Sequence, residues 1–180
     1  MQRRTALKQL AFASAALLLI PRCMQDKGKV SILLKKISID ADQEKLVAEL
    51  CESIIPKTNT PGANDINAHL FALMMVDDCY KTEDQQKFME GLKAFETNIK
   101  KQFGASFVNC SNIEKEKVLT ELEAKKTGNE NIAYFYATLK ELTVQSYTAS
   151  KFYLTEIQEY KLVPGKYKGC VAIKKITADS

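Results

Sequence analysis

The chain has no tryptophan, one histidine, seven glycines and four prolines in 180 residues, and each scarcity closes off a class of chemistry. His69 stands without a set of neighbouring ligands, which argues against a histidine-built metal centre; it reads as a surface or packing residue, the alternative being a partner contact. No Cys-x-x-Cys pair, Cys-x-x-Cys-His haem site or closely spaced cysteine set for an iron–sulfur cluster occurs among the five cysteines. No Gly-x-Gly-x-x-Gly turn is present to hold a dinucleotide. The pairs Asp77-Asp78 and Glu83-Asp84 point in different directions on a helix, so they are expected to be solvated or helix-end charges rather than paired catalytic acids.

What is present begins with an export address. Arg3-Arg4, then Leu7 and Lys8, then an apolar run from Leu10 to Ile20 ending at Pro21-Arg22-Cys23, form a basic head on a short apolar segment. That reads as a secretory signal, with the paired arginines pointing to the twin-arginine route and the general secretory route as the alternative. The run is shorter than the roughly 20 apolar residues a spanning helix needs. Cys23 sits where a lipoprotein would be cleaved and acylated, although Arg22 precedes it; cleavage elsewhere or an uncleaved anchor are the other readings. The twin-arginine route carries folded proteins, so a chain using it is expected to hold a cofactor or to travel with a partner that does. The scarcities above place the cofactor outside this chain.

The net charge of +4 falls close to neutral once Arg3, Arg4, Lys8 and Arg22 are set aside, which leaves nucleic-acid binding without electrostatic support. About 155 residues remain, enough for one domain that hides roughly two-thirds of its unfolded surface. The organisation read from the sequence is a signal at 1–23, a tether or short strand to 39, and an all-α domain of five to six helices over 40–180 with an irregular C-terminal arm. Apolar residues recur at helical spacing from Leu46 to Ile55, capped by Asp40 and stopped by Pro56. A turn-rich loop follows over 57–64, then helices over 65–80, from Thr82 (with Gln85 as a capping box) to Gly104, from Ser111 (with Glu114) to about Gly128, and from about 131 to 147. Ser150 caps one more short helix. Cys51, Cys79, Cys110 and Cys170 allow two disulfides in an exported protein, with three pairings open. Cys79 with Cys170 is a candidate pair that would pin the arm to the helical body; the rival is that both are buried thiols.

Two segments are more specific than composition requires. One is the helix end and loop Ile54-Ile55-Pro56 through Thr60-Pro61-Gly62-Ala63, and the other is the arm Tyr160 to Cys170 with Pro164-Gly165-x-Tyr167 inside it. Together with Leu139-Lys140-Glu141-Leu142-Thr143 and Tyr147 to Ser150, in this order and behind this leader, they resemble the gluconate 2-dehydrogenase subunit 3 family from about Asp40 to Cys170. Gln145-Ser146 departs from the pattern, where a glycine is expected before the aromatic. The resemblance implies a non-catalytic small subunit of a membrane-associated, FAD-dependent sugar or polyol dehydrogenase, with FAD in a large subunit of the glucose-methanol-choline type and none here. It further implies that this chain carries the export address for both subunits into the periplasm and supports its partner's folding, with room in the complex for a cytochrome c subunit. Membrane association would come from a lipid on Cys23 or from the complex. The expected partner interface is Ile55, Pro56, Thr60, Pro61, Gly62 and Ala63 in the loop, with Tyr160, Pro164, Gly165 and Tyr167 in the arm. A rival reading is an envelope lipoprotein that binds another partner without any dehydrogenase.

Overall fold

A computed structural model describes residues 30–124, 128–158, 160, 163, 165 and 169–170. They form five α-helices, α1 (Ala41–Ile54), α2 (Ala68–Cys79), α3 (Thr82–Phe103), α4 (Asn112–Glu123) and α5 (Glu130–Thr148), with a 3₁₀ turn at Phe107–Asn109 and a π-helical turn at Tyr153–Ile157. No strand occurs among the described residues. The all-α expectation is met.

The helix ends follow local chemistry. Asp40 caps α1 by accepting from the Asp42 and Gln43 amides while the Gln43 side chain accepts from the Asp40 amide. Ser111 and Glu114 form the same reciprocal pair on α4, and the two Ser111 hydrogen bonds hold the Glu114 carboxyl below its usual range. Gly104 closes α3 at φ 68°, a left-handed turn that favours glycine.

Three expectations are corrected. Thr82 does not cap α3: the cap position is Lys81 and no side chain serves it. Gln85 turns away instead, and its Nε2 donates to the carbonyls of Val76, Asp77 and Tyr80 at 2.8–3.1 Å. It thus satisfies carbonyls left unpaired at the end of α2 and welds that end to the first turn of α3. The second helix starts at Ala68 rather than Asp65, because Asn67 sits in the left-handed region at φ 56°. Asp77 is not a solvated charge: it is 3% exposed and accepts from the backbone amides of Lys35, Lys36 and Ile37 at 2.7–2.8 Å.

That carboxylate explains the segment before α1. Residues 30–39 form neither a strand nor a loose lead; they are a strap laid on the body, with Ile37 and Ile39 buried in the core and Ser31 donating to the buried Glu44.

The core is centred where α3 crosses α5. Phe88 packs edge-on to Phe135 at 5.0 Å, Phe95 lies 5.9 Å from Phe135 and 5.6 Å from Phe107, and all four rings are buried. Each buried ring contributes on the order of 2 kcal/mol. The helices approach so closely that a Cβ on Gly91 would strike the Asn131 carbonyl and the Phe135 Cβ; glycine is required there by space, not by dihedral angle. α5 stays helical through Gln145-Ser146 to Thr148 with Ser146 buried, so the expected glycine is not needed for the backbone.

Candidate docking surface

The loop between α1 and α2 is assembled around one carboxylate. Pro56 ends the helix because it supplies no amide donor, and the chain then folds back over Glu52. Glu52 Oε1 accepts from the Lys57 amide and Oε2 from the Asn64 amide, each at 2.9 Å, so a single side chain in the last turn of α1 holds both sides of the loop. Asp65 adds a second tie, accepting from the Gly62 amide and pairing with Lys57 Nζ, both at 2.9 Å. The Lys57 ammonium, together with the Gly62 amide, holds the Asp65 carboxyl below its usual range. The backbone closes with Ala63 N–H on the Ile55 carbonyl at 2.9 Å.

This geometry sorts the expected interface residues. Gly62 and Ala63 are buried, and a Cβ on Gly62 would run into both Glu52 carboxylate oxygens and the Lys57 amide. They build the loop and offer no surface to a partner. Pro56, Lys57, Thr58, Asn59 and Thr60 are exposed, with Ile55 and Pro61 half-buried. The presented surface is therefore the crest from Pro56 to Pro61, held from beneath by Glu52 and Asp65. In the sequence Asp65 reads only as the start of the second helix, and Glu52 carries no expectation. The signal available was a Glu one turn ahead of a proline with an x-Pro-Gly turn eight residues later.

A shallow depression of about 330 Å³ adjoins the crest, lined by Pro56, Glu52 and Ser53 on one side and Lys115 and Leu119 of α4 on the other. Lys115 pairs with Glu49 at 2.6 Å and is largely buried. A second depression shares Ser53, Glu116 and Leu119 and runs on to Tyr136 and Lys140 of α5, whose hydroxyl and ammonium both donate to Glu123. Burial and the Glu123 carboxylate push the Tyr136 phenol well above its ordinary range. These charges are matched within the chain and present a shallow, open, mixed surface.

In the arm, Tyr160 is 58% and Val163 82% exposed, and Gly165 and Cys170 are exposed. Leu162, Pro164 and Tyr167 lie outside the described residues, as do Arg3, Arg4, Leu7, Lys8 and Cys23. Cys79 and Cys170 are exposed, unbridged thiols, whereas Cys51 and Cys110 are buried; burial pushes the Cys51 thiol up to about 12. His69 is half-buried in the first turn of α2 with its Nδ1 unpartnered, and burial lowers its pKa against the opposing pull of Glu44. Among the described residues no group of three or more His, Cys, Asp or Glu is placed to hold a metal, and no helix is long and apolar enough to cross a membrane.

A family model described as gluconate 2-dehydrogenase subunit 3 matches residues 41–165. The chain belongs to that family. The match takes in all five helices, the Glu52-centred loop and the arm as far as Gly165, while the strap at 30–39 and everything before it lie outside. No curated protein and no solved structure matches the chain. As a subunit 3 family member the protein is related to one component of a multisubunit dehydrogenase, which makes the crest and the arm candidates for contact with another subunit.

Proposed function

We propose that this protein is the non-catalytic small subunit of a periplasmic, FAD-dependent sugar or polyol dehydrogenase, and that its leader takes the flavoprotein subunit with it through the twin-arginine route. The observation that carries this reading is the family match over 41–165, and the pair Arg3-Arg4 ahead of the apolar run from Leu10 to Ile20 supports the shared address. The crest Pro56–Pro61 suits docking because it is ordered before a partner arrives: two carboxylates already hold its backbone, so little ordering entropy is lost on binding. Tyr160 and Val163 add the apolar surface that anchors such contacts, and a lipid on Cys23 would keep the complex at the membrane.

Replacing Arg3 and Arg4 together with lysine tests the shared address. The expected result is dehydrogenase activity retained in the cytoplasm and lost from the periplasm. Unchanged periplasmic activity of the flavoprotein would refute it.

A further inference from the structure

The strap leaves one large apolar side chain in solvent beside two cations. Leu33 is 97% exposed, the largest exposure of any large apolar residue described, and Lys35 and Lys36 are exposed next to it. This is not a loose end that happens to be wet. The backbone around Leu33 is fixed by Glu44 on one side and by Asp77 on the other, with Ile37 and Ile39 pointing inward. The fold therefore holds Leu33 outward. Between residues 27 and 39 there are four lysines and no acidic residue. Asp77 and Glu44, the carboxylates that hold the strap's backbone, are occupied by its amides, and Lys36 Nζ reaches the backbone carbonyl of the exposed Asp78.

Chain length supplies the partner. Nine residues lie between Ile20, the end of the apolar run, and Val30, the start of the strap, and the ten steps from one to the other span at most about 35 Å when extended. With the apolar run in a bilayer, or with an acyl chain on Cys23, the strap cannot stand far from the membrane surface. An apolar tip flanked by lysines is what an anionic lipid surface binds: the side chain enters the acyl boundary and each ammonium contributes through the surface potential. We propose that the strap docks on the anionic membrane face, with Leu33 inserted and Lys35 and Lys36 at the headgroups, and so sets the orientation in which the subunit presents its crest. This goes beyond the dehydrogenase reading and shares with it only the leader.

The test uses the full chain in vesicles of phosphatidylcholine and phosphatidylglycerol at 3:1, with Cys23, Cys79 and Cys170 replaced by serine and an environment-sensitive fluorophore on Leu33→Cys. The buried Cys51 and Cys110 are retained. A blue-shifted probe at position 33, and a water-like one at Ile113→Cys on α4, are expected. Lys35→Gln with Lys36→Gln should lower the docked fraction by about five-fold per lysine, and pure phosphatidylcholine should lower it likewise. Water-like emission at position 33 in every vesicle, a chain left in the supernatant, or a shift that needs added flavoprotein instead of lipid would each overturn the proposal. Because the measurement needs no export, a failed twin-arginine test leaves it intact, and its own failure leaves the shared address standing.

Discussion

The strap before α1 and the arm after α5 are alike in composition, and the described residues of the two are treated in opposite ways. Both are short runs of apolar residues and lysine without helical spacing. The strap's backbone is collected by carboxylates on the helices, Ser31 by Glu44 and Lys35 to Ile37 by Asp77. In the described part of the arm the backbone bond recorded is local, from the Tyr160 amide to the Leu154 carbonyl, and Tyr160 and Val163 face solvent. The strap shows that an irregular segment joins this fold where a helix offers it an anion. The Glu52 loop obeys the same rule, since two of its amides converge on one carboxylate. An amide caught by a charged acceptor contributes more than a neutral hydrogen bond, and an amide left buried without one is expensive.

Removing the anion under the strap should break the comparison most severely. Asp77→Ala leaves the amides of Lys35, Lys36 and Ile37 without their acceptor and loosens Ile37 from the core. A loss of about 3 kcal/mol is expected, seen as a fall of roughly 10 °C in melting temperature and loss of amide protection across 35–37 by hydrogen exchange. Protection retained there would show that apolar packing alone holds the strap. Gly62→Ala applies the same logic to the loop: the new methyl displaces the Glu52 carboxylate from its two amides. About 2 kcal/mol is expected, with urea denaturation as the measure. A companion Glu52→Gln, which keeps an acceptor but removes charge, should fall between wild type and Gly62→Ala.

The pH dependence sharpens the same point on a smaller scale. Burial opposes ionisation of Asp77, but its three backbone amides outweigh it and hold the carboxyl below its ordinary value of 3.8. A carboxyl depressed in the folded state stabilises fully above its unfolded pKa, and that stability is lost as pH falls through the folded value. Asp77→Asn does not titrate, so its stability should decline less than that of wild type as pH falls below about 4. Asp65, Glu114 and Glu123 shift in the same direction and remain in both proteins, so the difference isolates Asp77. Parallel acid curves would deny its role.

The helices were legible because their signals are local: apolar spacing, Asp40 and Ser111 as caps, and Pro56 and Gly104 as stops act within a few residues. Asp77 and Gln85 escape a local reading for the converse reason. Asp77 finds its amides some forty residues upstream, and Gln85 lies at capping-box spacing from Thr82 yet is drawn to carbonyls at the end of the preceding helix. A hint for Asp77 was present, since an acidic residue near a helix C-terminus is unfavourable for the helix dipole and asks for another partner. The loop's position was readable from Pro56 and Pro61-Gly62, but not which residues would show: Gly62 and Ala63 belong to the motif because they are enclosed.

The smallest stability effect is expected in the arm, where no carboxylate holds the described backbone. Tyr160→Ser combined with Val163→Ser removes exposed apolar surface and should change stability by less than about 0.5 kcal/mol, far below the Asp77→Ala loss. If the arm is a contact for the flavoprotein, the same double change should weaken co-purification about ten-fold or more, since aromatic anchors in an interface commonly contribute 2 kcal/mol or above. The two measurements belong on one purified variant. A protein that melts as wild type but loses its partner assigns these residues to the interface. One that melts markedly lower would place the arm on its own helices, and one unchanged in both would remove Tyr160 and Val163 from the docking surface and leave the Pro56–Pro61 crest to carry it.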